Sequence, residues 1–305
     1  MQKNCSLVWN ASDHKQKKAK NIANFTTSDM IKDIILRSSE IKDQVIVIKL
    51  PSIIITNDLL LTNFVENIRL INLCNARICI VHDHADLIGN TLKNCEFDEK
   101  FINSLKIIDH KSAQIIEMVL SGYINKLIVS KLCKVGCHAI GISGKDCNFI
   151  QARKSRFIYK QPASNNDIIN IEFIGEPVTI NPELLLSFED RDIIPVISPI
   201  ANDQNGCTTL LDVNLTAAAI AATLNADHLI LPLTTTILGD KNLKVKDTQV
   251  LQNILLDDTH ELEIRNLLQT AINALNDNIY CVHLIDAVLP DSIILSLLMD
   301  ADSAI

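Results

Sequence analysis

Glycine is scarce in this sequence. Only 8 of its 305 residues are glycine, against a usual share of about 7% in proteins. Loops that hold phosphate groups need glycine, because the missing side chain lets main-chain amides approach the ligand. The one short candidate, Ser143-Gly144-Lys145-Asp146, is too short for a Walker motif and is expected to form a turn. Few positions therefore suit a phosphate-binding loop.

Long apolar runs, cysteine pairs and excess positive charge are missing too. No apolar stretch reaches the ~18–20 residues of a membrane span, and residues 1–20 lack the apolar core of a signal peptide. The nine cysteines are scattered without a Cys-x-x-Cys pair, so we expect reduced thiols and no metal site. The net charge of −8 argues against a nucleic-acid surface. These absences predict a soluble, cytoplasmic protein that binds neither nucleic acid nor membrane.

Apolar runs typical of buried strands alternate with amphipathic helical patterns along most of the chain. Predicted strands cover residues 44–50, 77–81, 138–142, 192–198, 227–233 and 279–285. Predicted helices cover residues 57–73, 111–136, 181–190, 212–226, 261–276 and 290–299. The second of these helices should break near Ser121-Gly122, and residues 149–180 favour hairpins. Strands and helices in this alternation predict an α/β fold with a mainly parallel sheet covered on both faces.

Composition divides the chain into three parts. Residues 1–43 precede the alternating pattern and form an extension, in which residues 26–41 are predicted to be a helix. Residues 44–200 and 201–305 are expected to form two lobes, because the polar, turn-like segment ANDQNG follows residue 200.

The segment VHDHADLIG concentrates two histidines and two aspartates. His82 and His84 stand two residues apart at the end of a predicted strand, with Asp83 between them. His-x-His on a strand can bind a metal ion, but the sequence offers no identifiable third and fourth ligands. A hydrogen-bonded loop is the simpler interpretation, and an enzyme that uses His82 and His84 stays open as an alternative.

Residues 115–154, 171–188, 193–206 and 218–231 resemble N-acetylglutamate kinases of the amino acid kinase family. The stretch EMVLSGYINKLIV, followed by GISGKD, carries most of this resemblance. It implies a three-layer α/β/α sandwich whose N-terminal lobe binds an acyl amino acid and whose C-terminal lobe binds ATP. The implied reaction transfers the γ-phosphoryl group of Mg-ATP to the side-chain carboxylate of N-acetyl-L-glutamate, a step of arginine biosynthesis.

The resemblance assigns catalytic positions to Lys49, Asp212 and Asn214. In the family, a strand-end lysine reaches the transferring phosphoryl group, and two glycines follow it closely. Here Lys49 is present, but Pro51 and Ser52 stand in place of the glycines. The family aspartate that orients the catalytic lysines corresponds to Asn214, which carries no charge, while Asp212 lies two residues earlier.

The resemblance also assigns binding positions. His82, Asp83 and His84 begin the stretch that replaces a His-Gly-Gly-Gly loop holding substrate and phosphoryl oxygens. Lys106 takes the place of a substrate-binding arginine. A lysine keeps the positive charge, but it cannot form the two parallel hydrogen bonds with which an arginine binds a carboxylate. On the nucleotide side, the segment that begins at Thr234 replaces an Asp-Val-x-Gly turn of the family. The second catalytic lysine of the family is missing, and Arg265 is the cation nearest to its expected position.

Together these departures predict an acetylglutamate kinase homologue with weak or no phosphotransferase activity, which binds a metabolite or associates with a partner. The alternative is an active N-acetyl-L-glutamate 5-phosphotransferase, with Mg-ATP as its cofactor. The expected ligand is N-acetylglutamate or a related acyl amino acid. A homo-oligomer is expected, because the family forms dimers through its N-lobe sheets, and relatives with an added N-terminal helix form hexamers.

Overall fold

The computed structural model describes residues 27–83, 88, 91, 100–102, 105–107, 110–154, 174–189, 191–233, 242–256 and 262–298. The chain divides into two compact units, Met1–Glu40 and Ile41–Ile305. The first unit contains helix α1 (Thr27–Glu40), which confirms the helix predicted there. Among the helices described, none combines the length and the apolarity needed to cross a bilayer.

The second unit follows the alternating pattern. Its strands are β1 (Val45–Leu50), β2 (Arg77–His82), β3 (Lys100–Ile102), β4 (Leu105–Ile107), β5 (Ala139–Ser143), β6 (Ile150–Lys154), β7 (Ile174–Ile180), β8 (Ile194–Ser198), β9 (Ile200–Asp203), β10 (Thr208–Leu211), β11 (His228–Leu233), β12 (Leu243–Val245) and β13 (Cys281–Asp286). Its helices are α2 (Ser52–Thr56), α3 (Asp58–Leu73), α4 (His110–Glu117), α5 (Asn125–Lys134), α6 (Glu183–Glu189), α7 (Val213–Thr223), α8 (Thr248–Leu255), α9 (Leu262–Asn276) and α10 (Ser292–Leu298).

A seven-stranded sheet forms the middle layer, in the order β12-β13-β11-β1-β2-β8-β5. All of its neighbouring pairs are parallel except the pair of β12 with β13 at one edge. Strand β1 lies at the centre, and it pairs with β2 on one side and β11 on the other. This arrangement confirms the predicted α/β class with a mainly parallel sheet.

Each face of the sheet packs against its own layer of helices. Ile46, Ile48 and Leu50 of β1 belong to one hydrophobic cluster, which includes residues of α3, α5 and α10. Val47 belongs to a second cluster, which includes residues of α7 and α9. Since successive side chains of a strand point to opposite faces, the two clusters lie on opposite sides of the sheet. The layers are therefore helix, sheet and helix.

A small closed barrel of β6, β7, β9 and β10 accompanies the sheet. Strands β6 and β7 pair antiparallel, as the predicted hairpins require. The polar segment 201–206 forms the end of β9 and the turn into β10, in which Gly206 has a positive φ of 76°. Glycine adopts such a backbone angle readily, because it has no Cβ atom to clash with the main chain. The division into lobes at this segment stays a prediction.

The break predicted near Ser121-Gly122 is a π-helical turn. Residues Met118–Ile124 form this turn between α4 and α5, so one long helical stretch changes its winding in the middle. Asn125 follows immediately and is buried, and its side-chain Nδ2 donates to the carbonyl oxygen of Val196 at 2.8 Å. This hydrogen bond fastens the start of α5 to strand β8.

We expect Gly141→Ala to destabilise the fold by about 2–4 kcal/mol, because the cost of overpacking against Asn125 adds to the cost of losing the buried hydrogen bond from Asn125 to Val196. A Cβ atom at Gly141 would overlap the side chain of Asn125. The control is Gly122→Ala, where no atom lies within 4 Å of the added Cβ, and we expect a change below about 1 kcal/mol. Urea unfolding measures both variants, and equal effects would contradict the close packing at Gly141.

Candidate functional site

The site lies at the carboxyl ends of the central parallel strands. In the ladder of β1 with β2, Lys49 is opposite Val81 and Leu50 is opposite His82. Because side chains alternate between faces, Lys49 and Asp83 point to the same side, together with Val47 and Val81. His82 points to the opposite side of the sheet. The register therefore brings Lys49 and Asp83 together and separates both from the imidazole of His82.

Lys49 and Asp83 form an ion pair with little solvent access. The Nζ atom of Lys49 lies 3.6 Å from Oδ2 of Asp83, and the side chains are 8% and 18% exposed. The amide of Asp83 also donates to the carbonyl oxygen of Leu50 at 2.8 Å. The strand-end lysine, expected to reach a phosphoryl group, thus faces a carboxylate.

His82 is held in a buried hydrogen-bond network. Its Nδ1 lies 2.9 Å from the carbonyl oxygen of Asp83, and its Nε2 lies 3.0 Å from Oγ of Ser198. A carbonyl oxygen only accepts, so Nδ1 carries the proton, and Nε2 shares the hydroxyl of Ser198 with the carbonyl oxygen of Leu120, which lies 3.3 Å from that hydroxyl. Both ring nitrogens are engaged within the protein. This geometry favours the hydrogen-bonded interpretation of the segment over a metal site.

The turn after β1 engages two of its amides within itself. Pro51 precedes α2 and has no N–H to offer. The amides of Ile54 and Ile55 donate to the carbonyl oxygen of Pro51 at 3.1 and 3.4 Å, and both isoleucine side chains are buried. In the described part of this edge, the amides of residues 54, 55 and 83 thus all bond to carbonyls of residues 50 and 51. Those amides do not converge on a ligand.

The N-terminus of α7 lies at the same edge of the sheet. Helix α7 packs on β1, β2 and β11 and leads directly into β11, which runs parallel to β1. The helix therefore runs against the strand direction and begins at their carboxyl ends, near Lys49. Its N-terminus carries a partial positive charge that favours anions.

Asp212 and Asn214 occupy the first turn of α7. Asp212 is the N-cap, and its Oδ1 accepts from the amide of Leu215 at 2.8 Å. Its carboxylate thus stabilises the helix start. The side-chain Oδ1 of Asn214 is buried and has no hydrogen-bond partner among the described residues. A buried acceptor in this state is a point at which a ligand or a water molecule can supply a donor.

The remaining predicted positions are Lys106, Arg265, His84 and Thr234. Lys106 lies in β4 opposite Phe101 of β3, and nothing further is described for its side chain. Arg265 lies on α9 and is partly buried. His84 and Thr234 lie outside the described residues.

The segment Ser143-Gly144-Lys145-Asp146 forms a local turn, as predicted. Oδ2 of Asp146 accepts from the amide and the hydroxyl of Ser143 at 2.6 and 3.0 Å. Nζ of Lys145 donates to both carboxylate oxygens of Glu117, at 2.8 and 2.7 Å, and to Oγ1 of Thr208 at 2.7 Å. These contacts tie the turn to α4 and β10.

Sequence reasoning missed a cluster of His228, Cys281 and His283, which are buried together. The available signal was the pair Cys281 and His283, whose alternate positions on a strand place them on one face. The third member comes from another strand. The expectation of no metal site, drawn from cysteine spacing alone, did not consider it.

Comparisons with known proteins agree on the family. The model of the amino acid kinase family matches residues 44–284. The chain is 30% identical over 281 residues to the acetylglutamate kinase of Ehrlichia canis, covering 90% of this chain and 86% of that protein. It is 33% identical over 222 residues to the acetylglutamate kinase of Rhodospirillum centenum, covering 72% and 73% of the two chains.

Solved structures agree on the fold. An N-acetylglutamate synthase from Neisseria gonorrhoeae, complexed with coenzyme A and N-acetyl-glutamate, matches with a TM-score of 0.72 at 17% identity. The match covers 91% of this chain but only 62% of the synthase. An isopentenyl phosphate kinase matches with a TM-score of 0.53 at 14% identity, covering 83% and 96%. With its matched family model and its acetylglutamate kinase relatives, this chain belongs to the amino acid kinase family.

Proposed function

We propose that this protein is an acetylglutamate kinase homologue that binds N-acetylglutamate or a related acyl amino acid and has weak or no phosphotransferase activity. The observation that carries the proposal is the ion pair at the strand ends, in which Asp83 lies 3.6 Å from the ammonium group of Lys49. A cation must be available to neutralise the transferring phosphoryl group, and here a carboxylate competes for it.

The charge of Asp83 acts against phosphate in two ways. It neutralises Lys49, and it repels a phosphate that approaches the same cation. At ~4 Å in a partly buried site, repulsion between two unit charges is worth on the order of a few kcal/mol. Both side chains are less than one-fifth exposed, at 8% and 18%, so solvent screens the interaction weakly.

The main-chain groups at this edge support the same conclusion. Phosphoryl transfer is stabilised by donors preorganised toward the developing negative charge, and each donor removed commonly costs ~10²- to 10³-fold in rate. The amides of Ile54, Ile55 and Asp83 bond to neighbouring carbonyls, and Pro51 has no amide hydrogen. Each of these amides is unavailable as a donor to the transferring phosphoryl group, and the absence of several donors together lowers the rate enhancement of phosphoryl transfer.

A binding role without efficient chemistry rests on the first turn of α7. The helix N-terminus favours an anionic group, and the buried Oδ1 of Asn214 requires a donor. An acyl amino acid carries both a carboxylate and an amide N–H, so it matches these two needs. We propose that such a ligand contacts the first turn of α7. We also propose that the protein is a homo-oligomer.

Active phosphotransfer is the second candidate, because Lys49 and the start of α7 lie at the same edge of the sheet. That activity would require Mg-ATP, as the family implies. The carboxylates in the described part of this edge are already engaged within the protein, because Asp83 pairs with Lys49, Asp212 caps α7 and Asp286 accepts from the amide of Val288, so they do not fit a magnesium site. The geometry therefore favours weak or absent activity.

With Mg-ATP and N-acetylglutamate, we expect a turnover below about 1 s⁻¹, the low end of ordinary enzyme rates. Hydroxylamine traps an acyl phosphate product as the hydroxamate, which is measured by its colour with iron. The acetylglutamate kinase of Ehrlichia canis, assayed in parallel, verifies the method. A turnover well above this limit would establish the active alternative.

Asp83→Asn should raise the affinity for Mg-ATP about tenfold, which corresponds to ~1.4 kcal/mol. The amide keeps the shape of the carboxylate, removes its charge and releases Lys49. Equilibrium dialysis with labelled ATP measures the change. Asp58→Asn is the control, because it removes the carboxylate of an exposed ion pair with Lys131. Equal affinities for the wild type and Asp83→Asn would refute the blocking role of Asp83.

A double-mutant cycle tests the strength of the same pair. Lys49→Met should destabilise the fold by about 2–3 kcal/mol, because it leaves a largely buried carboxylate without its cation. Adding Asp83→Asn should restore about 1–2 kcal/mol of that loss. The corresponding cycle for Lys131 and Asp58, whose carboxylate is 84% exposed, should give a coupling below about 1 kcal/mol. Urea unfolding measures both cycles, and similar couplings would argue against a buried pair.

A further inference from the structure

A second group of functional side chains lies on the face of the sheet that does not carry Lys49. His228 begins β11 and Cys281 begins β13, and the two residues are direct partners in the parallel ladder. His283 follows two residues after Cys281, so its side chain points to the same face. The three residues are at most 5% exposed. One candidate ligand atom from each lies within 4.8 Å of the other two.

Hydrogen bonds define the orientation of both imidazoles. Nε2 of His228 lies 2.8 Å from Oε1 of Gln44, and Nδ1 of His228 lies 2.9 Å from Nε2 of His283. The amide oxygen of Gln44 accepts, so Nε2 of His228 carries its proton and Nδ1 presents a lone pair toward His283. Nδ1 of His283 is buried and has no well-formed hydrogen bond among the described residues, and the main chain of Ser296 lies beside the ring.

The geometry matches the needs of a metal ion. Two nitrogens bound at ~2.0–2.1 Å to one ion lie about 3.3 Å apart. Nδ1 of His228 and Nε2 of His283 are 2.9 Å apart, so the two rings have to separate only slightly to hold an ion. Gln44 would then act as the outer partner that fixes the ring of a ligating histidine. In the part of the chain described, these three residues are the only group of metal-binding side chains so close together.

We propose that His228, Cys281 and His283 bind one transition-metal ion with a filled d shell, Cu⁺ or Zn²⁺, through Nδ1, Sγ and Nε2. Binding releases the thiol proton of Cys281, moves the ring proton of His283 from Nε2 to Nδ1, and forms a metal–sulfur bond. The ion links β11 directly to β13 and, through Gln44, to the residue before β1. The site is independent of the proposed acyl amino acid site, because it lies at the amino ends of these strands.

Charge favours Cu⁺ over Zn²⁺. A thiolate with Cu⁺ has no net charge, whereas a thiolate with Zn²⁺ leaves one positive charge in a buried site. Lys244 is opposite His283 in the ladder of β12 with β13, so its positive charge lies on the same face and disfavours that extra charge. Three soft or borderline ligands also suit Cu⁺, while Zn²⁺ prefers a fourth.

Because the three side chains are buried, the ion should enter during folding. The full chain is unfolded with a chelator and refolded without oxygen in the presence of Cu⁺, Zn²⁺ or no metal. Gel filtration removes unbound ions, and mass spectrometry then counts metal per chain. We expect about one Cu⁺ per chain, and at least tenfold weaker binding in Cys281→Ser, measured by competition with a chromogenic chelator.

Cys79→Ser is the matched control, because it makes the same exchange at a buried cysteine on the opposite face, in β2. It should keep one ion per chain. X-ray absorption of the loaded wild type, which needs no variant, should give two nitrogen ligands and one sulfur. Zinc bound in place of copper, with the same ligands, would support the site and overturn the charge argument. No bound metal after refolding, or equal binding by Cys281→Ser, would overturn the site.

Discussion

The register of β1 against β2 decides what the carboxyl edge of the sheet can bind. Lys49 is opposite Val81. Asp83 follows Val81 by two residues, so its side chain lies on the same face of the sheet and the two charges meet. A shift by one residue would turn Asp83 to the other face and leave the lysine without this partner. The pair is thus a consequence of strand pairing, which the buried isoleucines of both strands hold in place.

Most of the fold could be predicted, because it depends on patterns that are local in sequence. Six of the seven strands of the sheet are apolar runs, and the π-helical turn falls at the predicted break near Ser121-Gly122. The small barrel was only partly visible. Its β9 and β10 are four residues each, and their pairing depends on Gly206 and on contacts with distant β6 and β7.

The sites were harder to predict, since they depend on contacts between distant residues. Resemblance placed Lys49 at the end of the first strand and Asp83 in the loop after the second strand, but neither residue type reveals that they face each other. Asp212 was assigned a catalytic position from its place in a motif, and the structure gives its carboxylate the role of a helix cap. The buried cluster was missed because His228 and Cys281 are 53 residues apart and meet only through the ladder of β11 with β13.

The two sites illustrate one physical rule with opposite results. In both, parallel pairing places polar side chains on one face of the sheet, where water cannot satisfy them. At the carboxyl edge, Lys49 and Asp83 satisfy each other, so a phosphate has to displace one partner before it can bind the other. At the amino edge, one hydrogen bond joins Nδ1 of His228 to Nε2 of His283, and these are the two nitrogens proposed to hold the metal ion. A metal ion exchanges that single hydrogen bond for coordinate bonds to both rings, whereas a phosphate has to break a charge pair, and the two edges of this sheet should differ in binding for that reason.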